Sequence, residues 1–265
     1  MPTGRAMILR RIREHVTHHN WFAVAVDFII VVLGVFVGIQ ASNWNQARND
    51  RQQAREYRAM LRNDLDANLE NLATRMRYYQ WVRSEALATL ADLERPSRTS
   101  DDQFLVHAYQ ATQIQPWALK RNTYDEILST GAMAKLGDPL LRDKIANYYV
   151  TSDVTGTNIS VVPPYRDIVR RIMPYAVQQA IRARCNERLV QNSRGSVDII
   201  LPTGRCNLGL DAGTVRQASV QVHDWPGLAL DLNRQLVDLD QKLVSVSAIS
   251  RRAEALKTAL KDADS

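Results

Sequence analysis

The sequence predicts a mainly α protein. One N-terminal transmembrane helix continues into a long extramembrane helix, followed by a helical domain with a small loop-rich, β-hairpin subregion. Three observations predict this. Residues 21–40 (WFAVAVDFIIVVLGVFVGIQ) form an apolar run whose only formal charge is Asp27, and about twenty residues at 1.5 Å rise cross a hydrocarbon core about 30 Å thick. No glycine or proline occurs between Ala41 and Arg95, so the helix can run on without a break. Two stretches then repeat apolar residues in steps of four and three, the signature of an amphipathic or coiled-coil-like face.

The apolar run is longer than the roughly 7–15 residues of a signal-peptide core, and its exit, Gly-Ile-Gln-Ala-Ser, is a poor cleavage site, so an uncleaved anchor is expected. At 100° per residue, Asp27, Gly34, Gly38, Ala41 and Asn45 fall within about 40° of one line. That face is small and polar. The pair Gly34 and Gly38 permits close approach of a second helix, and Asp27 is a candidate proton-handling group, as intramembrane acids often are. The alternative is a lone helix whose Asp27 reaches towards the headgroups. Four arginines flank each side of the run (Arg5, Arg10, Arg11 and Arg13; Arg48, Arg51, Arg55 and Arg58), so the positive-inside rule barely discriminates. The amino terminus and His15, His18 and His19 tip the balance towards a cytoplasmic N-terminus and a periplasmic large domain on a bacterial inner membrane, crossed once.

The remaining segments follow in order. Residues 1–20 are a short basic tail in which Ile8, Leu9, Ile12 and Val16 suit a turn or two of interfacial helix. Residues 41–95 form the membrane-proximal helix, with its seam at Leu65, Leu69, Leu72, Met76, Tyr79, Ala86, Leu90 and Leu93, interrupted by Arg83. Tyr57 and Leu61 fall out of phase, which starts the seam near Leu61. Pro96 ends the helix. Residues 229–262 form the C-terminal heptad-like helix, with Leu232, Leu236, Leu239, Leu243, Val246, Ala253 and Leu260 in the same alternation and Ser250 and Lys257 as weak points. The two seams are expected to pair antiparallel; the alternative is that each packs separately on the middle of the chain.

In the helical domain, 101–185, a short helix is expected from Asp101 to Gln113 and another over Asn122–Leu128, stopping near Gly131. Asp138 followed by Pro139 is an N-cap and first-turn proline for a helix to about Val150, with Thr151–Asn158 as a polar loop. Pro163-Pro164 opens a helix to about Arg184. Residues 186–227 gather Gly195, Gly204, Gly209, Gly213, Pro202 and Pro226 and two β-prone runs, Val197–Leu201 and Val215–Val222, and are expected to be loop-rich with one hairpin. Cys185 and Cys206 either form a disulfide across this subregion, which would suit an oxidising compartment, or stand as two separate thiols.

Chemistry-bearing patterns are sparse. There is no P-loop, dinucleotide fingerprint, GxSxG or HExxH. No catalytic set, metal or cofactor is expected. His15, His18 and His19 have helical ligand spacing, but nothing completes a site. His107 and His223 are isolated, and isolated histidines are mostly structural. Lys120-Arg121 with Asn122 is a weak candidate anion site at a helix start. Trp117, Tyr124, Tyr148, Tyr149, Tyr165 and Tyr175 are expected in the core rather than lining a pocket. The formal net charge of +6 is spread and interleaved with acids, without the aromatic-plus-basic constellation of a nucleic-acid binder; anionic headgroups are the simpler partner.

Two stretches resemble a bacterial family of single-span membrane proteins defined by a domain of unknown function. The first is Asp27-Phe-Ile-Ile-Val-Val-Leu-Gly34, leading to Gln40-Ala-Ser-Asn43-Trp44-Asn45-Gln46, similar to that family's acid, aliphatic run with glycine and Gln-x-Asn-Asn-Trp-Asn-Glu. The second is Tyr124-Asp-Glu-Ile-Leu-Ser-Thr-Gly131, then Leu-Leu-Arg142 and Ile145-Ala-Asn-Tyr148-Tyr149. Asp27 stands where glutamate is usual, Ser42 where asparagine is, and Gln46 where glutamate is. The likeness covers residues 25–150 and implies a membrane-anchored protein, with no catalytic residues to carry over. A weaker likeness, Ala25-Val-Asp27-Phe28 early in a single span, resembles flagellar-type stator B subunits, in which such an Asp relays protons beside a multi-span partner. The expectation is therefore a structural or interaction protein whose partners are the bilayer and either a second copy or another membrane protein. A proton-coupled stator-like subunit is the alternative, and a periplasmic ligand-sensing domain the third.

Overall fold

The computed structural model describes residues 21–95, 99–115, 119–191 and 197–264. The basic tail with its three histidines, Pro96, Pro116 and Trp117 lie outside the described residues. The fold is mainly α with one small hairpin. Eight α-helices occur among the described residues: α1 (Trp21–Glu94), α2 (Asp101–Gln110), α3 (Asn122–Ser129), α4 (Pro139–Ile159), α5 (Pro164–Ile172), α6 (Tyr175–Arg184), α7 (Ala212–His223) and α8 (Leu228–Asp262). A 3₁₀ turn, Ala132–Lys135, follows α3, and strands β1 (Arg188–Gln191) and β2 (Val197–Ile200) pair antiparallel with Arg188 opposite Ile200.

The chain divides into two compact units, 1–53 and 54–265, and α1 contributes to both. In the first unit, every side chain described from Trp21 to Asn49 is exposed. The segment is long and apolar enough to cross a membrane.

The second unit holds the whole described apolar core, which begins at Ala54. Leu65, Leu72, Tyr79, Val82 and Ala86 of α1 and Leu232, Leu239, Val246, Ala253 and Leu260 of α8 are buried in it. The two seams face each other in antiparallel order. Arg62 bonds Asp264, Lys257 Nζ lies 2.6 Å from Asp66, Lys242 Nζ sits 5.6 Å from the Tyr79 ring centre, and Arg83 Nε lies 2.5 Å from Asp240. Position numbers rise along α1 as they fall along α8. Ala54, Tyr57 and Leu61 are buried too, so the packed face starts earlier than the phase argument places it. Tyr57 reaches Glu126 through its hydroxyl at 3.2 Å, giving the extra turns a partner outside the seam.

Side-chain caps place three of the remaining helix starts. Ser100 caps α2 through Gln103 N, Asp138 caps α4 through Leu141 N ahead of Pro139, and Asp211 caps α7 through Thr214 N. Gly131, at φ +68°, takes the left-handed backbone that ends the α3 segment.

Four expectations are corrected. α2 ends at Gln110 rather than Gln113, with the Thr112 hydroxyl turned back to Tyr109 O. α4 continues through the expected polar loop to Ile159, because Ser152, Gly156 and Ile159 prolong the buried face of Ile145, Tyr148 and Tyr149. Burial overrides the weak helix propensity of Thr, Asp and Asn. The expected helix 163–184 is two helices, broken at Pro174, whose ring cannot continue a helix. Val215–Val222 is helical: Val215, Ala218, Ser219 and Val222 are buried at helical spacing, which outweighs their β-branched composition.

Cys185 and Cys206 are joined in a disulfide with Cα atoms 5.8 Å apart. α2 holds both ends, Gln110 donating to Cys185 O at 2.7 Å and Gln103 Oε1 accepting from Cys206 N at 3.2 Å. The hairpin is tied to α1 by Arg77 and Asp198 at 3.0 Å.

The C-terminal end of α8 depends on one carboxylate. Partial burial works against ionisation of Asp264, but hydrogen bonds and charge from Arg62 and Arg58 outweigh it and hold the carboxyl below its ordinary 3.8. A lowered folded pKa stabilises above the ordinary value and is lost as pH falls through the lowered one. Hydrogen-exchange protection over the last two turns of α8 is therefore expected to persist at pH 5 and collapse in acid below 3.8. Asp264→Asn should fray those turns at neutral pH and remove the acid dependence.

Candidate functional site

In the first unit the structure leaves the predicted contact face open. Asp27, Gly34, Gly38, Ala41 and Asn45 are all exposed along α1, as are Gln40, Asn43 and Trp44. A Cβ built on Gly34 or Gly38 meets nothing within 4 Å, so both positions are free to receive a second helix. The apolar side chains around them, Phe28, Ile29, Val32, Leu33 and Phe36, are uncovered as well. In water such a surface of linked apolar residues is unstable; in lipid, or against another apolar helix, it is satisfied.

In the second unit, residues from the resemblance block converge. Tyr124 of α3 stacks on Tyr149 of α4 with ring centres 4.2 Å apart and planes 12° apart, and Tyr148 meets Tyr149 edge-on at 4.9 Å. All three are buried. Arg142 is half-buried on the same helix, about two turns before Tyr149. Tyr165 is buried as expected, but Tyr175 is 69% exposed and does not join the core; it leaves the packed surface at the first position after the Pro174 break.

Beside these rings lies a cavity of about 180 Å³ lined by Asn68, Leu119, Lys120, Arg121, Tyr148, Tyr149, Ser152 and Asp153. Asn68 is one of its lining groups. This side chain is 1% exposed on the α1 seam; its Oδ1 accepts from Lys120 N at 2.6 Å and its Nδ2 donates to Lys120 O at 2.9 Å. One amide thus pins the strand of chain ahead of α3 as a neighbouring β-strand would. The same Nδ2 lies 3.4 Å from Tyr148 Oη. Burial pushes the Tyr148 phenol up to about 12. Burial pushes Tyr149 higher, with Tyr148 and the charge of Asp64 adding to it and Arg121 opposing. Both are neutral hydroxyl donors at physiological pH. The Tyr149 hydroxyl is buried without a hydrogen-bond partner.

Lys120-Arg121, the candidate anion site, is drawn into this wall but not as an open cationic pair. Arg121 is engaged by Asp125 at 2.9–3.0 Å and by Asp153. Asp64 accepts from Thr123 N at 3.3 Å and occupies the start of α3 where an anion would dock. Of the lining groups, Asn68, Leu119, Ser152 and Asp153 are not singled out by any pattern in the sequence.

The two histidines of this unit each sit on a carboxylate. His107 Nδ1 lies 2.9 Å from Asp92 Oδ2, and Thr99 donates to the other Asp92 oxygen at 2.5 Å, which fastens the end of α1 to α2. His223 Nδ1 lies 2.9 Å from Asp224, beside a cavity of about 210 Å³. Among the described residues no group of three or more His, Cys, Asp or Glu is placed to hold a metal ion.

Comparison with protein-family models, with curated proteins and with solved structures returned no match to this chain.

The two buried tyrosines of the stack should respond oppositely to truncation. Tyr149→Phe removes only an unpartnered hydroxyl, so the unfolding midpoint should stay or rise. Tyr124→Ala removes a packed ring and should cost about 3–5 kcal/mol. Chemical denaturation of both variants checks this, and a large loss in Tyr149→Phe would show that the hydroxyl has a structural partner.

Proposed function

We propose that this protein is a single-span membrane anchor that works by association, engaging a second copy or another membrane protein through the Asp27–Gly34–Gly38–Ala41–Asn45 face and presenting its helical domain on the other side. The observation that carries this reading is the uncovered apolar surface of residues 21–44 with two open glycines on one side. Lipid satisfies the bulky sides. The glycine side has little side chain to offer lipid and gains more from close helix packing. The Cys185–Cys206 bridge supports a large domain in an oxidising compartment, hence a cytoplasmic N-terminus and a periplasmic domain on a bacterial inner membrane. The resemblance to single-span bacterial membrane proteins agrees with this placement.

A second reading makes the protein a proton-coupled subunit, with Asp27 as the relay. What favours it is the position of Asp27 on the glycine face rather than the lipid-facing sides, since acids within membranes face partners or water.

Affinity purification of the intact protein in mild detergent, after cross-linking, tests both. Gly34→Leu/Gly38→Leu should lose the associated copy or partner by roughly tenfold, about 1.4 kcal/mol of packing, whereas Asp27→Asn should keep it. Loss of cellular activity in Asp27→Asn with assembly intact would favour proton handling. Equal recovery from wild type and the double leucine variant would contradict association through this face.

A further inference from the structure

Gln103 sits between the disulfide loop and His107, and one orientation of its amide satisfies both. The Cys206 backbone N–H can only donate, and it lies 3.2 Å from Gln103 Oε1. That contact holds the amide oxygen towards the loop and the amide hydrogens towards the histidine. Gln103 Nε2 lies 2.9 Å from His107 Nε2, so this ring nitrogen accepts and carries no proton. The proton of the neutral ring is then on Nδ1, 2.9 Å from Asp92 Oδ2. The bonds run from Cys206 through Gln103 and His107 to Asp92, each donor pointing the same way.

A second proton on the ring breaks this chain at one place. Imidazolium is a donor at both nitrogens, so its Nε2–H would face the Gln103 amide hydrogens. Turning the amide over offers Oε1 to the ring, but it sets the amide hydrogens against the Cys206 N–H. One Gln103 cannot serve both neighbours while the ring is charged. The charged ring takes the oxygen, because hydrogen bonds to charged groups are stronger than those between neutral ones.

The surroundings favour that proton. Asp92 is nearly buried beside Nδ1 and also accepts from Thr99. His107 lies in the last turn of α2, at the helix end that favours positive charge. Burial holds the Glu85 carboxyl of α1 above its ordinary 4.5, and positive charge on His107 draws it back down. Past Asp92, the cavity wall adds Asp101 with Arg216 at 3.6 Å, and His223 with Asp224. On the loop side, Asp102 accepts from Leu208 N at 2.9 Å. Acids outnumber bases around the ring.

We infer that His107 and Gln103 form a proton-operated latch on the disulfide loop: the neutral ring holds Gln103 against Cys206, and the charged ring draws Gln103 away and frees the Cys206 amide. The loop stays tethered by the Cys185–Cys206 bond and by Leu208 on Asp102, so acid loosens one edge of it and leaves the core packed. The latch lies wholly in the second unit and does not depend on association through residues 27–45.

The test is NMR of the intact protein in detergent, from roughly pH 8 to 5, the range in which histidines take up a proton. Ring nitrogen shifts of His107 should show the proton on Nδ1 at the alkaline end. The hydrogen-exchange protection factor of the Cys206 amide, which removes the intrinsic pH dependence of exchange, should fall about tenfold on acidification, the loss of one hydrogen bond. That fall should share its midpoint with the His107 ring. In Gln103→Met the protection should be low at both ends while the ring still titrates, and in His107→Gln the step should vanish. A proton on Nε2 at pH 8, Cys206 protection that stays constant through the His107 titration, or an unchanged step in His107→Gln would overturn the latch; the first two need only the wild-type protein.

Discussion

The antiparallel seam between α1 and α8 is the constraint on which the rest of the large unit depends. Each helix carries an apolar stripe it cannot hide alone, and burying a leucine contributes about 1.5–3 kcal/mol. Leu65, Leu72 and Tyr79 on one side and Leu239, Val246 and Leu260 on the other are all essentially out of solvent. Charged pairs along the edges, Lys257 with Asp66 and Arg83 with Asp240, add little energy at an exposed surface, but they fix the direction and register. The shorter helices then close over the same core, through contacts such as the Gln235 amide on Ala111 O at 2.9 Å.

The seam was legible because it is a local repeat read twice. Leu65 to Leu93 and Leu232 to Leu260 each state their own period, and antiparallel pairing follows from placing them at opposite ends of one domain. The capped helix at Asp138-Pro139 was legible for the same reason, since its signal occupies adjacent residues. The failures share a different cause. The last turns of α4 look like a loop because Thr151, Asp153, Thr155 and Asn158 are poor helix formers, and only the long-range burial of Ser152, Gly156 and Ile159 makes them helical. In α7 composition and period conflict: the valines suggest a strand, while their spacing and the Asp211 cap specify a helix. The cavity was only half legible. Lys120, Arg121, Tyr148 and Tyr149 stood out, but nothing local says that Asn68, about fifty residues upstream, ties that segment down through its backbone, or that Asp125 and Asp153 neutralise Arg121.

The two units place different demands on the same helix. Residues 21–44 expose apolar surface with no cover, whereas from Ala54 onwards α1 buries its apolar face within the large unit. Tertiary packing stabilises the second part. The first must find its stability elsewhere, and lipid with a close-packed partner supplies it in the reading proposed above. The disulfide and the cavity beside Tyr149 lie wholly in the second unit, so changes there and changes on the glycine face can be made independently.

The account rests on the antiparallel pairing of α1 and α8, and spin-label distances test it most directly. Cys185 and Cys206 are bonded to each other, which leaves introduced cysteines as the sites to label in the intact protein. At 1.5 Å per residue, about 25 Å of helix separates Asp66 from Arg83. Pairs placed at 66 and 257 and at 83 and 240 should both give short distances, and the crossed pairs 66 with 240 and 83 with 257 should each be longer by roughly that separation. Short distances for the crossed pairs would mean that the helices run parallel, and long distances for all four pairs that they do not pair; either result would contradict the core described here.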